Sequence, residues 1–159
     1  MTLKRLLFII TSLIFINIRF MGEFKRSSGI IVKHNNKVLL CKRSPKDTYP
    51  GEWSIPAGGI EGEESPFDAA LREFKEETDI VLPKKLELVG FINKYKKDGS
   101  TKRGMIYVYF HDADREYKPN LLKAKDGHEH TECGYFSENE LPITEKNDQL
   151  LKILKKILK

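Results

Sequence analysis

The 159-residue chain holds only two cysteines, one tryptophan and three methionines. Two cysteines cannot build a disulfide scaffold, and neither Cys41 nor Cys133 lies in a CxxC pair, so no zinc or redox site is indicated. Both read as buried or incidental thiols. Two unpaired thiols argue for a reducing, cytoplasmic compartment. Collagen-like and disordered compositions are excluded, because apolar residues make up 40% and charged residues 32%, with 11 glycines and 7 prolines. Internal repeats and low-complexity linkers are missing. So is a long hydrophobic run. The most apolar stretch, residues 6–18, is broken by Thr11, Ser12 and Asn17. It falls short of the roughly 20 residues that span a bilayer, so no stable membrane span is expected.

The formal net charge of +5 invites a polymer or membrane-surface partner. Most of that excess is local. Residues 1–20 contain Lys4, Arg5 and Arg19 and no acid; without those three charges the other 139 residues stand at +2. Little electrostatic footprint is left for a long nucleic acid, and DNA is not expected as a partner. The segment 1–23 reads as an upstream start before Met21, as a signal or weak anchor without a good cleavage site, or as an extra packed element. Each reading leaves a domain over residues 24–159.

Hydrophobic periodicity and turn residues divide that domain. Residues 28–34 and 37–43 read as strands joined by an Asn35-Asn36 hairpin turn. Residues 44–51 form a loop, 53–56 a short extended piece, and Ala57-Gly58-Gly59 a glycine turn. Residues 65–78 carry the strongest helix signal, opened by Ser65 as N-cap and Pro66 at the first helical position. Residues 86–94, 105–111 and 131–136 read as further strands, and 147–158 as an amphipathic helix whose leucine and isoleucine stripe packs on the core. Two helices and about six strands in mixed order imply an α/β layered domain.

Chemistry concentrates in residues 58–80. At 100° per residue, Phe67, Ala70, Leu71 and Phe74 form one core stripe. Glu73, Glu76 and Glu77 fall in one arc beside it. Three carboxylates one turn apart repel one another, and a hard divalent cation such as Mg²⁺ is the natural compensator, since it takes oxygen ligands. Upstream, Glu64 lies near the Gly58-Gly59 turn. Arg72 is spaced so that its guanidinium fork can hold carboxylates.

These residues resemble the signature of the Nudix hydrolases, G-x5-E-x7-R-E-U-x-E-E-x-G-U, where U is a bulky aliphatic residue. Gly58, Glu64, Arg72, Glu73, Phe74, Glu76, Glu77 and Ile80 match eight of its nine positions, with Phe74 taken as the first U. Asp79 replaces the signature glycine, at a helix end where Asp tolerates φ > 0 at about 1 kcal/mol or less. The resemblance implies an α/β/α sandwich with a mixed β-sheet, and an enzyme that hydrolyses a nucleoside diphosphate linked to another group. It implies Mg²⁺, or Mn²⁺, on Glu73, Glu76 and Glu77. Glu76 or Glu77 would serve as base, with Arg72 arranging the carboxylates and Gly58 and Gly59 letting backbone approach. It also implies a further acid near residues 129–132, for which Glu132 is favoured over Glu129. His128 and His130 read as a base or phosphate contact or, in the favoured reading, as solvated loop residues.

Arg43 and Trp53 are candidate substrate contacts, the first for phosphate and the second for a nucleobase. Tyr49, Phe91 and Tyr95 are further stacking candidates, Phe91 equally a core residue. The basic loop holding Lys94, Lys96, Lys97, Lys102 and Arg103 suits a polyphosphate or simply meets water. Within the family resemblance, Tyr95, fifteen positions past Ile80, leans toward dinucleoside polyphosphates over ADP-ribose. The other classes open at this point are a nucleotide sensor on the same fold and a 5′-end RNA pyrophosphohydrolase. A homodimer stays open, with nothing in the sequence marking an interface.

Overall fold

The structure is a computed structural model that describes residues 24–96, 98–143 and 147–159. The apolar segment read at the N-terminus lies outside the described residues, as does Lys97 of the basic loop. The elements run β1 (Lys25–His34), β2 (Lys37–Arg43), β3 (Trp53–Ser54), β4 (Ala57–Gly59), α1 (Pro66–Thr78), β5 (Glu87–Tyr95), β6 (Lys102–Asp112), β7 (His130–Phe136) and α2 (Asp148–Ile157). Asn35 and Asn36 take φ of 48° and 58°, the left-handed pair that a tight two-residue hairpin needs.

The strands form one seven-stranded sheet in the order β3-β2-β1-β6-β5, with β4 paired to β1 and β7 paired to β2. β1 and β6 are parallel, and the other pairs are antiparallel. The expected mixed sheet is therefore present. Its two faces follow from the alternation of side chains along each strand. Ile30, Val32, Leu39 and Tyr109 face α1, where Ala70 and Phe74 meet them. Ile31, Val38, Leu40 and Val108 face the other way, onto Leu150, Leu154 and Leu158 around α2. The sheet is thus a middle layer between two helices, a three-layer α/β/α sandwich. The leucine stripe of the terminal helix packs on the core as its spacing implies. Among the described residues no helix is long and apolar enough to cross a membrane.

The cysteines overturn the sequence expectation. Cys41 on β2 and Cys133 on β7 stand directly opposite each other in the antiparallel ladder and form a disulfide. They lie 92 residues apart in the chain, so only the strand register reveals the pair. Two unpaired thiols were the argument for a reducing compartment, and that argument falls with them.

Candidate active site

Helix α1 is fixed at both ends by its sequence. Ser65 Oγ accepts the Asp68 N–H at 3.1 Å and donates to Asp68 Oδ2 at 2.6 Å. At the other end Asp79 adopts φ 60° and ψ 22°, and its N–H reaches the Lys75 carbonyl at 2.8 Å. The left-handed position normally given to glycine is held here by an exposed aspartate. Between these caps Phe74 and Ala70 are buried against the sheet. That burial sets the rotation of the helix and turns its carboxylates toward β4.

Arg72 organises them. Its Nε and Nη2 grip Glu64 at 3.1 and 2.6 Å, a two-pronged contact. Nη1 donates to Glu73 at 2.8 Å and to Glu76 at 2.9 Å, and Nη2 also donates to the Gly59 carbonyl at 2.8 Å. One guanidinium therefore ties the glycine strand to three glutamates, and these bonds hold the arginine charged and raise its pKa. Gly58 is where backbone and carboxylate come closest. A Cβ there would fall 2.1 Å from the Glu73 carboxyl carbon, so only glycine leaves Glu73 its place.

The three glutamates read together from the helical arc divide into two environments. Glu76 is partly exposed, and Lys125 holds its Oε1 at 2.6 Å. That bond, with Arg72, lowers its pKa, as the Arg72 bond does for Glu64. Glu77 is 2% exposed. Its Oε2 accepts the Ala57 N–H at 3.1 Å and lies 2.9 Å from His130 Nε2. Burial pushes Glu77 above the ordinary carboxylate range, against the pull of His130. Burial raises Glu73 as well, opposed by Arg72.

Several residues stand elsewhere than the sequence reading implied. His130 is not a solvated loop residue: it is buried and bonded to Glu77, at the first position of β7. His128 is exposed. Glu132 is not brought to the carboxylate set; it pairs with Lys42 at 3.1 Å across the β2–β7 ladder, and that lysine sits 5.9 Å over the Trp53 ring. Glu129 is instead the neighbouring acid whose charge bears on Glu77. Arg43 pairs with Asp47 at 2.6 Å, while its buried Nε has no partner among the described residues. Trp53 packs edge-on against Phe136 at 4.9 Å, beside Lys42. Tyr49, Phe91 and Tyr95 are exposed, and Phe91 leans on Tyr107 at 5.3 Å. Lys125 and Asp47 escaped the sequence reading, because both are ordinary surface charges until the fold supplies their partners. For His130 the available signal was its place between two acids.

The donor set suits a hard divalent cation: glutamate oxygens, a bare glycine beside Glu73, and no sulfur. Among the described residues no three acidic, histidine or cysteine side chains already converge in ligating geometry. Positive charge is supplied instead by Arg72 and the exposed Lys125, so a cation would have to displace Lys125 to reach Glu76 Oε1. Glu73, Glu76 and the unshared Oε1 of Glu77 are the atoms available to hold it.

The chain is similar to an ADP-ribose pyrophosphatase of Methanocaldococcus jannaschii, 32% identical over 112 residues that cover 70% of this chain and 61% of that one. It is also similar to an RNA pyrophosphohydrolase of Bartonella henselae, 41% identical over 64 residues, 36% of each protein. The chain thus spans only part of the curated relatives it matches. In fold it resembles the crystal structure of a MutT NUDIX hydrolase from Burkholderia pseudomallei, at TM-score 0.66 and 22% identity, covering 82% of this chain and 97% of that one. The family model of the NUDIX domain matches residues 23–157, the same stretch that carries the sandwich and the arginine-bound glutamates, and the chain belongs to this family.

Proposed function

We propose that the protein is a Mg²⁺-dependent (or Mn²⁺-dependent) pyrophosphohydrolase that cleaves a small nucleotide in which a nucleoside diphosphate is linked to another group. The observation that carries this reading is the Arg72 node. It sets Glu73 and Glu76 side by side at the glycine strand, with Glu64 bound behind them. A charged face that merely met water would not need a partly buried guanidinium with five hydrogen bonds to arrange it.

In this reading Glu73, Glu76 and Glu77 hold the ion, which supplies charge neutralisation at the phosphate oxygens and a more acidic water. Arg72 keeps Glu73 and Glu76 from splaying apart. Glu76 or Glu77 receives the proton of the attacking water. Gly58 and Gly59 let the anhydride approach the backbone, Arg43 brings positive charge to the phosphates, and Trp53 offers a ring to the base. Glu132, held by Lys42, is given no step. Relatives named for ADP-ribose and for RNA bracket the substrate class.

The test is a panel of ADP-ribose, NADH, diadenosine polyphosphates, GDP-sugars, normal and oxidised deoxynucleoside triphosphates and 5′-triphosphate RNA, assayed with Mg²⁺ and with EDTA. Hydrolysis of at least one member, abolished by EDTA, is the expected result. Nucleotide binding that persists in EDTA with no product from any substrate overturns the reading in favour of a sensor.

A further inference from the structure

Strand β7 is irregular at one point, and that point lies beside the carboxylates. β7 runs antiparallel to β2 in even register from Phe136 opposite Val38 to Glu132 opposite Lys42. Arg43 then meets His130, so Thr131 is an extra residue without a partner on β2, a β-bulge. Side chains alternate between the two faces of a sheet. Cys133 and Tyr135 pack on the α1 side. In an even register Thr131 would be the next side chain on that side, and His130 would point to the opposite face. The bulge reverses the order. Thr131 is exposed, and His130 turns in toward α1, where it is 8% exposed. The Cys41–Cys133 disulfide, two ladder pairs away, ties β7 to β2 in this register.

The imidazole that arrives there has two nitrogens and one partner. Nε2 lies 2.9 Å from Glu77 Oε2, and the buried Nδ1 has no partner among the described residues. A proton on Nδ1 would be a buried donor with nothing to receive it, and a bare Nε2 would turn its lone pair on the carboxylate. The proton therefore belongs on Nε2, which donates to Glu77. The Ala57 N–H donates to the same oxygen at 3.1 Å. Two donors, one from β4 and one from β7, converge on Oε2, and Oε1 takes no hydrogen bond from the described residues.

The last torsion of a glutamate side chain is broad, so one donor fixes an oxygen without fixing the carboxylate plane. A second donor from another strand removes that freedom. We propose that His130 is a positioning residue: the bulge aims its Nε2–H at Glu77 Oε2, so that Oε1 is the oxygen presented to the divalent cation. This role rests on the hydrolase reading and deepens it. The imidazole transfers no proton and touches no substrate; it acts through Glu77. Bonds of this kind behind a metal ligand are worth about 10–100-fold in metal affinity or activity.

The full-length protein is titrated with Mn²⁺ alone, and free Mn²⁺ is followed by electron paramagnetic resonance. His130→Phe keeps a ring in place and removes the donor. It is expected to weaken Mn²⁺ binding about 10–100-fold and to lower kcat with the KM of the nucleotide held. His130→Gln can present an amide N–H where Nε2 stood and restores most of both, which a packing role alone would not allow. His128→Gln, at the exposed neighbour, changes neither. Thermal melting in EDTA establishes that the variants fold. Nitrogen NMR of the wild-type ring in EDTA at neutral pH needs no variant and is expected to show a neutral imidazole protonated on Nε2. Wild-type Mn²⁺ affinity in a folded His130→Phe protein overturns the positioning role. So do equal losses in the Phe and Gln variants, no Mn²⁺ binding by the wild type, or a proton on Nδ1. If every nucleotide in the panel stays intact while His130→Phe loses Mn²⁺ and His130→Gln regains it, the hydrolase reading fails and the positioning role stands. If nucleotides are cleaved and His130→Phe binds Mn²⁺ as the wild type does, the hydrolase reading stands and the positioning role fails.

Discussion

Helix α1 presents two faces that make opposite demands on the same 13 residues. On one, Ala70 and Phe74 are almost wholly buried against Ile30, Val32 and Tyr109. That face gains stability from every apolar atom removed from water. On the other, Glu73, Glu76 and Glu77 crowd negative charge together, which costs stability. Arg72 and Lys125 offset part of that cost for Glu73 and Glu76, and His130 with the Ala57 N–H does so for Glu77. The core face holds the fold in place, and the acid face spends some of that stability on a site. The contrast predicts that variants on the two faces separate cleanly in stability and activity.

The largest effect is expected on the core face. Phe74→Ala removes a large side chain from a well-filled interior and should destabilise by about 3–5 kcal/mol, read as a shifted urea midpoint. A much smaller loss would mean that α1 is not anchored by this stripe. Next in size is Glu77→Gln. In the proposed site Glu77 is a metal ligand, and losing one should cost more than losing an outer-shell partner, so turnover should fall at least about 100-fold. Its melting temperature in EDTA at neutral pH should hold or rise, because Gln still accepts the Ala57 N–H and the buried charge is gone.

Acidity sharpens that second prediction. Burial raises Glu77 and Glu73 above 4.5, so the metal-free folded state keeps protons that the unfolded chain releases. Stability should therefore fall as pH climbs from 4.5 through their raised pKa. Glu64 and Glu76 are shifted below 4.5. Their contribution is present above that value and is lost as pH falls through their lowered pKa. Calorimetric melting in EDTA across pH should show both limbs, and Glu77→Gln should flatten only the upper one. An unchanged upper limb would remove Glu77 from this account. A smaller, more local effect is expected of Gly58→Ala. The nearest atoms its Cβ meets are the far end of the flexible Glu73 side chain, so the fold should survive while Glu73 is displaced. An activity loss of about 10–100-fold with little change in melting temperature is the expected pair of readings.

Much of this was legible in the sequence because it rests on local rules. The Asn35-Asn36 turn, the Ser65-Pro66 helix start and the two periodicities along residues 65–78 and 147–158 are decided by neighbours in the chain. The spacing of Arg72 to Glu73 and Glu76 likewise needs only helix geometry. What stayed hidden depends on strand register between distant segments. Cys41 meets Cys133, His130 meets Glu77 and Lys94 meets Ser27 only because β7 lies on β2 and β5 lies on β6. The choice between Glu129 and Glu132 is hidden for the same reason. A bulge between Lys42 and Arg43 shifts the register of β7 against β2, and no pattern within residues 129–132 reveals which acid then faces the helix.

The smallest expected effect lies at the boundary between the two faces. Asp79 ends α1 in the left-handed region and is exposed. Asp79→Gly relieves the conformational cost of an L-residue there, about 1 kcal/mol or less for aspartate. The added glycine also gives the unfolded chain more freedom, worth about 0.4–1 kcal/mol in the other direction. The two terms nearly cancel, so the urea midpoint should move by less than about 1 kcal/mol in equivalent stability. Because the residue lies past the last carboxylate and makes its capping bond through the backbone N–H, the substitution keeps that bond. The Mg²⁺ concentration giving half-maximal activity should then be unchanged. A marked shift in that concentration would place Asp79 among the charges that the ion feels, and the acid face would extend one residue beyond the helix.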